Sequence, residues 1–145
     1  MEEDKTKDLI KSVLRSKKLK TEDTSHIIYD FDLIYKRYEE LKNAFPVNSL
    51  HGIAIKSCPL PAILRKQVEA GLGAEAASIE EVQIALRSGV DADKIIFDGP
   101  AKTKAEITFC IENRIYINID SFEELKRVDE LLGNNQNFKA GLRLN

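Results

Sequence analysis

His51-Gly52-Ile53-Ala54-Ile55-Lys56-Ser57-Cys58-Pro59-Leu60-Pro61 is the stretch on which the reading of this chain turns. A short apolar run, Ile53 to Ile55, stops at one lysine, and two prolines then bend the chain. Proline fixes φ, lacks an N–H and pushes the residue before it out of helical geometry. The stretch reads as a buried strand whose last residue is Lys56, followed by a proline at or near a helix start. A lysine in that place is either a surface charge or an amine held over a pocket. Taken alone the surface charge is the ordinary case, because lysine is rarely buried without a partner.

Outward from this stretch the sequence falls into a repeat. Apolar, strand-like runs begin near His51, Gly73, Lys94, Ile115 and Phe138, with helical patterns between them. Leu60, Leu64 and Val68 mark the first helix, which ends at Gly71. Ile79, Val82 and Leu86 mark the second, closed by Ser88-Gly89. Ile107, Cys110 and Ile111 mark the third; Phe122, Leu125, Val128 and Leu131 mark the fourth, which ends at Gly133. Glycine suits a helix C-terminus because it takes the left-handed backbone without strain. Ser78 before Glu80 and Glu81, and Ser121 before Glu123 and Glu124, supply caps and first-turn acids.

Strand–helix alternation with so little room between elements specifies parallel strands joined by right-handed crossovers. An open doubly wound sheet and a (β/α)8 barrel both fit, although no strand is followed by a GxGxxG turn. The repeat supplies about five βα units, so the expected fold is α/β, a partial (β/α)8 barrel. Upstream, Leu9, Ile10, Val13 and Leu14 share one face of a charged helix, and Arg15 to Lys20 reads as a solvated basic linker. His26-Ile27-Ile28-Tyr29 is a short strand candidate; Asp30 or Asp32 could cap the next helix, carried by Ile34, Tyr38, Leu41 and Phe45 and closed by Pro46. The expected organisation is a helix and linker over residues 1–25 and the incomplete barrel over 26–145.

The 145 residues suffice for one domain with a real core, and 43% hydrophobic with 32% charged residues is ordinary for a globular chain. A formal net charge of −2 argues against a nucleic-acid or membrane-surface partner held by bulk charge. No apolar run approaches a membrane span, and Met1 to Asp8 lacks the apolar core of a secretory signal. Cys58 and Cys110 form no CxxC or paired framework, which points to a reducing, cytoplasmic compartment. His26 and His51 fall in no metal-ligand spacing, so no metal site is expected.

In parallel α/β folds the chemistry sits at the carboxyl ends of the strands. Those ends are Lys56 with Ser57, Ser78, Asp98 with Gly99, Asp120, and Arg143 with Asn145. Glu75 is an acid inside an apolar strand, and the small alanines beside it leave room for a flat ligand; the plain alternative is an exposed strand residue. A lysine amine at the end of a first strand can form a Schiff base with an aldehyde, provided desolvation or a neighbouring cation neutralises it.

Several spaced blocks resemble one family. Ile53-Ala54-Ile55-Lys56-Ser57-Cys58-Pro59-Leu60-Pro61 is similar to the cofactor-lysine motif of the fold-type III pyridoxal-phosphate decarboxylases, which include diaminopimelate, ornithine and arginine decarboxylases. Gly71 to Ser78, continuing to Glu81-Val82-Gln83, resembles its second-strand block, and Lys94 to Lys102 the third. Asn118 to Leu125, Gly141 to Asn145, and Tyr29-Asp30 fall in the same order.

The resemblance implies the alanine racemase-like barrel and pyridoxal 5'-phosphate as cofactor. It makes Lys56 the lysine of the internal aldimine and Arg143 an arginine near the cofactor. Glu75 stands where the family usually has an aspartate beside the ring. Ser78 and Glu81 lie behind these on the following helix. Ser57-Cys58 departs from the family's usual small residue and asparagine. The substrate would be a basic or diamino acid; Phe97-Asp98-Gly99-Pro100 and Asn118-Ile119-Asp120-Ser121 look most like the diaminopimelate branch. A homodimer is expected of the full-length family.

The ring-stacking histidine, the glycine-rich phosphate loop, the partner of the pyridine nitrogen and the C-terminal β-domain would lie beyond Asn145. These residues alone are therefore expected to bind cofactor weakly and decarboxylate nothing measurable. Two alternatives stand beside this reading: a non-catalytic homologue that acts by protein binding, and a racemase-type or cofactor-carrier barrel.

Overall fold

The computed structural model describes residues 2–16, 18–20, 22–133 and 138–144. The chain forms two compact units, Met1–Asp30 and Phe31–Asn145. The first holds helix α1 (Glu2–Arg15), and the second holds the sheet. After α2 (Phe31–Ala44) the order is β1 (Gly52–Ala54), α3 (Pro61–Glu69), β2 (Gly73–Ala76), α4 (Ile79–Arg87) and β3 (Ile95–Phe97). It continues with α5 (Lys104–Asn113), β4 (Tyr116–Ile119), α6 (Phe122–Leu132) and β5 (Ala140–Leu142).

The five strands lie in the order β1-β2-β3-β4-β5, each parallel to the next. A doubly wound sheet would reverse its strand order at a switch point, whereas uninterrupted sequential order builds the wall of a (β/α)8 barrel. The repeat read from the sequence is thus four βα units and a fifth strand of such a barrel.

Helix ends follow their local chemistry. Pro61 occupies the first turn of α3, where its missing N–H costs nothing. Ser78, Thr103 and Ser121 cap α4, α5 and α6, each accepting a hydrogen bond from the backbone N–H three residues on. Gly71 and Gly89, both at φ 92°, turn the chain out of α3 and α4 into the left-handed region that favours glycine.

Side-chain alternation along the strands separates two faces of the sheet. Ala74, Ala76, Ile95, Phe97, Ile117 and Ile119 pack toward the helices, in a core shared with Leu64, Val82, Ala85, Ile107, Cys110 and Val128. The other parity carries Gly52, Ala54, Gly73, Glu75, Ile96, Tyr116, Asn118 and Gly141, the face that becomes a barrel interior.

Three expectations are corrected. β1 ends at Ala54, and Ile55–Ser57 is a 3-10 turn, so Lys56 sits in that turn rather than closing the strand. The Ser57 hydroxyl donates to Ala54 O at 2.7 Å and Cys58 N–H to Ile55 O at 2.9 Å, which tightens the turn. His26–Tyr29 forms no strand: a strand exists only with a ladder partner, and none of the five pairs with it. Phe122 opens α6 82% exposed, and Glu124 is buried in its place. Lys17 of the basic run and Asn145 lie outside the described residues. Among the described residues, no helix is long and apolar enough to cross a membrane.

Candidate functional site

The carboxyl ends of the strands bring the candidate residues to one rim. Across β1 and β2, Ala54 is the register partner of Glu75, and Glu75 in turn partners Ile96 of β3. The half-buried Glu75 carboxylate therefore stands on the strand beside the turn that presents Lys56, whose side chain is exposed. Gly52, Ala54 and Gly73 share the parity of Glu75. At Gly73 the sheet tolerates no side chain: a Cβ would run into Lys94 O and lie 2.9 Å from Leu50 Cδ1.

Behind Glu75, Ser78 and Glu81 form a locked pair. The Glu81 N–H donates to Ser78 Oγ at 3.4 Å, and Glu81 Oε2 accepts from the Ala77 N–H at 2.7 Å. Both side chains are thus engaged with the backbone where β2 passes into α4, and their direct effect is to fix that junction. At the start of the same helix, the Ser78 hydroxyl lowers the pKa of exposed Glu80 by hydrogen bonding to its carboxylate.

Arg143 belongs to a second cluster. Its backbone N–H donates to Ile119 O at 2.9 Å, extending the β4–β5 ladder past Leu142. Its guanidinium lies between the two acids that follow β3 and β4, with Nη1 3.9 Å from Asp98 Oδ2 and Nε 3.6 Å from Asp120 Oδ1. Asp98 is itself held, its N–H donating to Ala76 O at 2.8 Å. Arg143 remains 44% exposed between these partners. The structure places Lys56 in the turn after β1 and Glu75 on the neighbouring β2, and it brings Asp98, Asp120 and Arg143 together. Lys56 and Arg143 follow β1 and β5, four inter-strand steps or about 19 Å apart along the curved wall, whereas Glu75 on β2 and Asp98 after β3 belong to neighbouring strands.

Reasoning from sequence missed what underlies this rim. Lys102 and Glu124 are completely buried, with Nζ 2.7 Å from Glu124 Oε1. Lys102 Nζ also donates to Gly99 O and Asn118 O, each at 2.6 Å, and lies 5.3 Å from the centre of the Phe97 ring. All three ammonium donors are used, whereas Glu124 Oε2 has no hydrogen-bond partner. The Arg127 guanidinium donates to Lys102 O at 3.0 Å. The available signal was the charge of Lys102 within an otherwise turn-like block; Ser121-x-x-Glu124 reads in sequence exactly as the cap Ser78-x-x-Glu81 does.

The residues present fit pyridoxal phosphate: Lys56 would offer a primary amine to its aldehyde, Glu75 a carboxylate on the neighbouring strand, and Arg143 a guanidinium after β5. Among the described residues no group of three or more His, Cys, Asp or Glu is placed to hold a metal ion.

Comparison with known proteins gives a consistent result. A family model described as pyridoxal-dependent decarboxylase, pyridoxal binding domain, matches residues 31–145. Diaminopimelate decarboxylase of Campylobacter jejuni is 37% identical over 131 residues, 88% of this chain and 32% of that protein. The crystal structure of diaminopimelate decarboxylase from Helicobacter pylori complexed with L-lysine is similar with a TM-score of 0.78 at 31% identity, covering 86% of this chain and 32% of that one. The lysine/ornithine decarboxylase from Vibrio vulnificus complexed with cadaverine has a TM-score of 0.66 at 29% identity, over 79% of this chain and 31% of that one. The chain spans about a third of the length of these relatives.

Proposed function

From the premise that this chain belongs to the pyridoxal-dependent decarboxylase family, through the pyridoxal-binding domain at residues 31–145, we propose that it is the N-terminal barrel portion of a decarboxylase acting on a basic or diamino acid. Diaminopimelate is the favoured substrate, with ornithine and arginine next. The observation that carries the reading is the pairing of Ala54 with Glu75, which puts a carboxylate beside the turn of Lys56 at the strand ends. The printed identities of the relatives support the substrate order.

Lys56 supplies the amine that binds the cofactor aldehyde, and it must be neutral to attack that carbonyl. Pyridoxal phosphate, when bound, supplies the electron sink for the bond pair left on the α-carbon as carbon dioxide departs. Glu75 would stand beside the bound ring and present its carboxylate there. Ser78 and Glu81 hold the β2–α4 junction on which Glu75 depends, and Arg143 offers donors from the far side of the mouth. Among the described residues no glycine-rich loop follows a strand, so the phosphate has no such anchor here. Weak cofactor binding and no measurable turnover are therefore expected of these residues alone. A homodimer and a cytoplasmic location complete the proposal; the sequence holds two cysteines and no CxxC spacing, which suits a reducing compartment.

A chimera tests the function, with residues 31–145 replacing the matching segment of the Campylobacter jejuni diaminopimelate decarboxylase. The expected result is carbon dioxide release from diaminopimelate in preference to ornithine and arginine, abolished by Lys56→Ala. A folded chimera without turnover, or undiminished turnover in the Lys56→Ala variant, contradicts it.

A further inference from the structure

Lys102 and Glu124 are charges fully removed from water, and neither belongs to the rim that faces a ligand. What they touch gives them a task. Lys102 Nζ bonds two backbone carbonyls, Gly99 O after β3 and Asn118 O within β4, each at 2.6 Å. Gly99 follows Asp98, and Asn118 precedes Asp120 by two residues on the same strand parity. Those are the two acids that flank Arg143. The third donor of Nζ goes to Glu124 Oε1, anchored on α6 by the Ser121 cap.

We infer that the buried Lys102 ammonium, seated by Glu124, is a positioning device: it sets the spacing of the β3 and β4 ends so that Asp98 and Asp120 hold the Arg143 guanidinium over the barrel mouth. Lys102 acts through backbone and touches no ligand. The arrangement explains why a lysine is buried at a point where an apolar side chain would pack: three donors on one atom tie three separate segments, and no hydrocarbon does so. Arg143 itself is 44% exposed. An unassisted surface guanidinium with single ion pairs is weakly held. The assignment of Arg143 to the ligand face rests on the reading proposed above, whereas the mechanical link from Lys102 to Arg143 does not.

The test follows the Nε–H of Arg143 by nuclear magnetic resonance on the full 145-residue chain without cofactor, so its outcome is independent of whether Lys56 binds an aldehyde. Exposed Arg65 is the reference. In the wild type, Arg143 Nε–H exchange is expected about fivefold slower than that of Arg65, the factor two surface-strength ion pairs supply. Glu124→Gln keeps an acceptor for Nζ and should leave Arg143 within about twofold of wild type, because donor geometry rather than charge carries the link. Lys102→Met combined with Glu124→Leu replaces the pair by apolar groups, a change that buried ion pairs commonly tolerate. That variant should fold, with Arg143 exchange rising to the Arg65 rate. Wild-type protection of Arg143 in the folded double variant would overturn the inference, and so would loss of protection in Glu124→Gln. Failure of the double variant to fold would also overturn it, by showing that the pair serves stability.

Discussion

Glu75 faces Ala54 across the β1–β2 ladder, so that the strand carrying the acid runs beside the strand that delivers Lys56. Adjacent strands are about 4.8 Å apart, and two residues past Ala54 the chain has already turned. The turn that carries Lys56 and the strand that carries Glu75 are therefore neighbours on one edge of the sheet.

Glu75→Gln keeps the shape and removes the charge. Loss of one charged hydrogen bond of ordinary strength should weaken pyridoxal phosphate binding about tenfold without altering the fold. Equilibrium dialysis with the wild-type and variant chains, alongside circular dichroism, measures both.

Lys102→Met alone leaves the Glu124 carboxylate buried without its cation. Breaking a buried pair from one side should cost about 3–5 kcal/mol, whereas Glu124→Gln should cost less because Nζ keeps an acceptor. Urea titration gives the difference as a change in midpoint at constant slope.

Gly73→Ala and Gly141→Ala separate rigid from yielding neighbours. The added methyl at Gly73 meets the backbone carbonyl of Lys94, which cannot move without the β3 entry; at Gly141 it meets the Asn118 and Tyr116 side chains. Overpacking at Gly73 should cost about 2–3 kcal/mol and exceed the effect at Gly141. Thermal unfolding of the two variants checks the order.

Cys110 lies fully buried on α5, and burial pushes its thiol from the usual 9.0 up to about 12. The folded thiol thus keeps its proton where the unfolded one loses it. Its contribution to stability is complete below pH 9 and falls as pH rises toward 12, by up to about 1.4 kcal/mol per unit. Between pH 9 and 10, Cys110→Ala should show a shallower loss of stability than the wild type. Iodoacetamide at pH 8 should leave Cys110 unmodified in the folded chain and label it in denaturant, as read by peptide mass.

Much of this architecture was legible in local sequence. Buried parallel strands appear as short apolar runs, and the runs near His51, Gly73, Lys94, Ile115 and Phe138 fall at β1 to β5. Glycines and serines at the helix ends declare themselves because their backbone and capping chemistry is local. The missed features depend on distance. Lys102 and Glu124 meet across 22 residues and two elements, and no periodicity connects them. Arg143 finds its acids only once three strands are side by side. The turn at Lys56 is one 3-10 step, too short to leave a pattern, and His26–Tyr29 has a strand's composition without a strand's partner.

Borohydride reduction of the chain with pyridoxal phosphate, followed by digestion and peptide mapping, tests the central claim most directly. The account predicts that the reduced pyridoxyl group is found chiefly on Lys56, and that Lys56→Ala removes that peptide's label without transferring it to another lysine. Label spread evenly over the exposed lysines, or concentrated at a lysine other than Lys56, would contradict it.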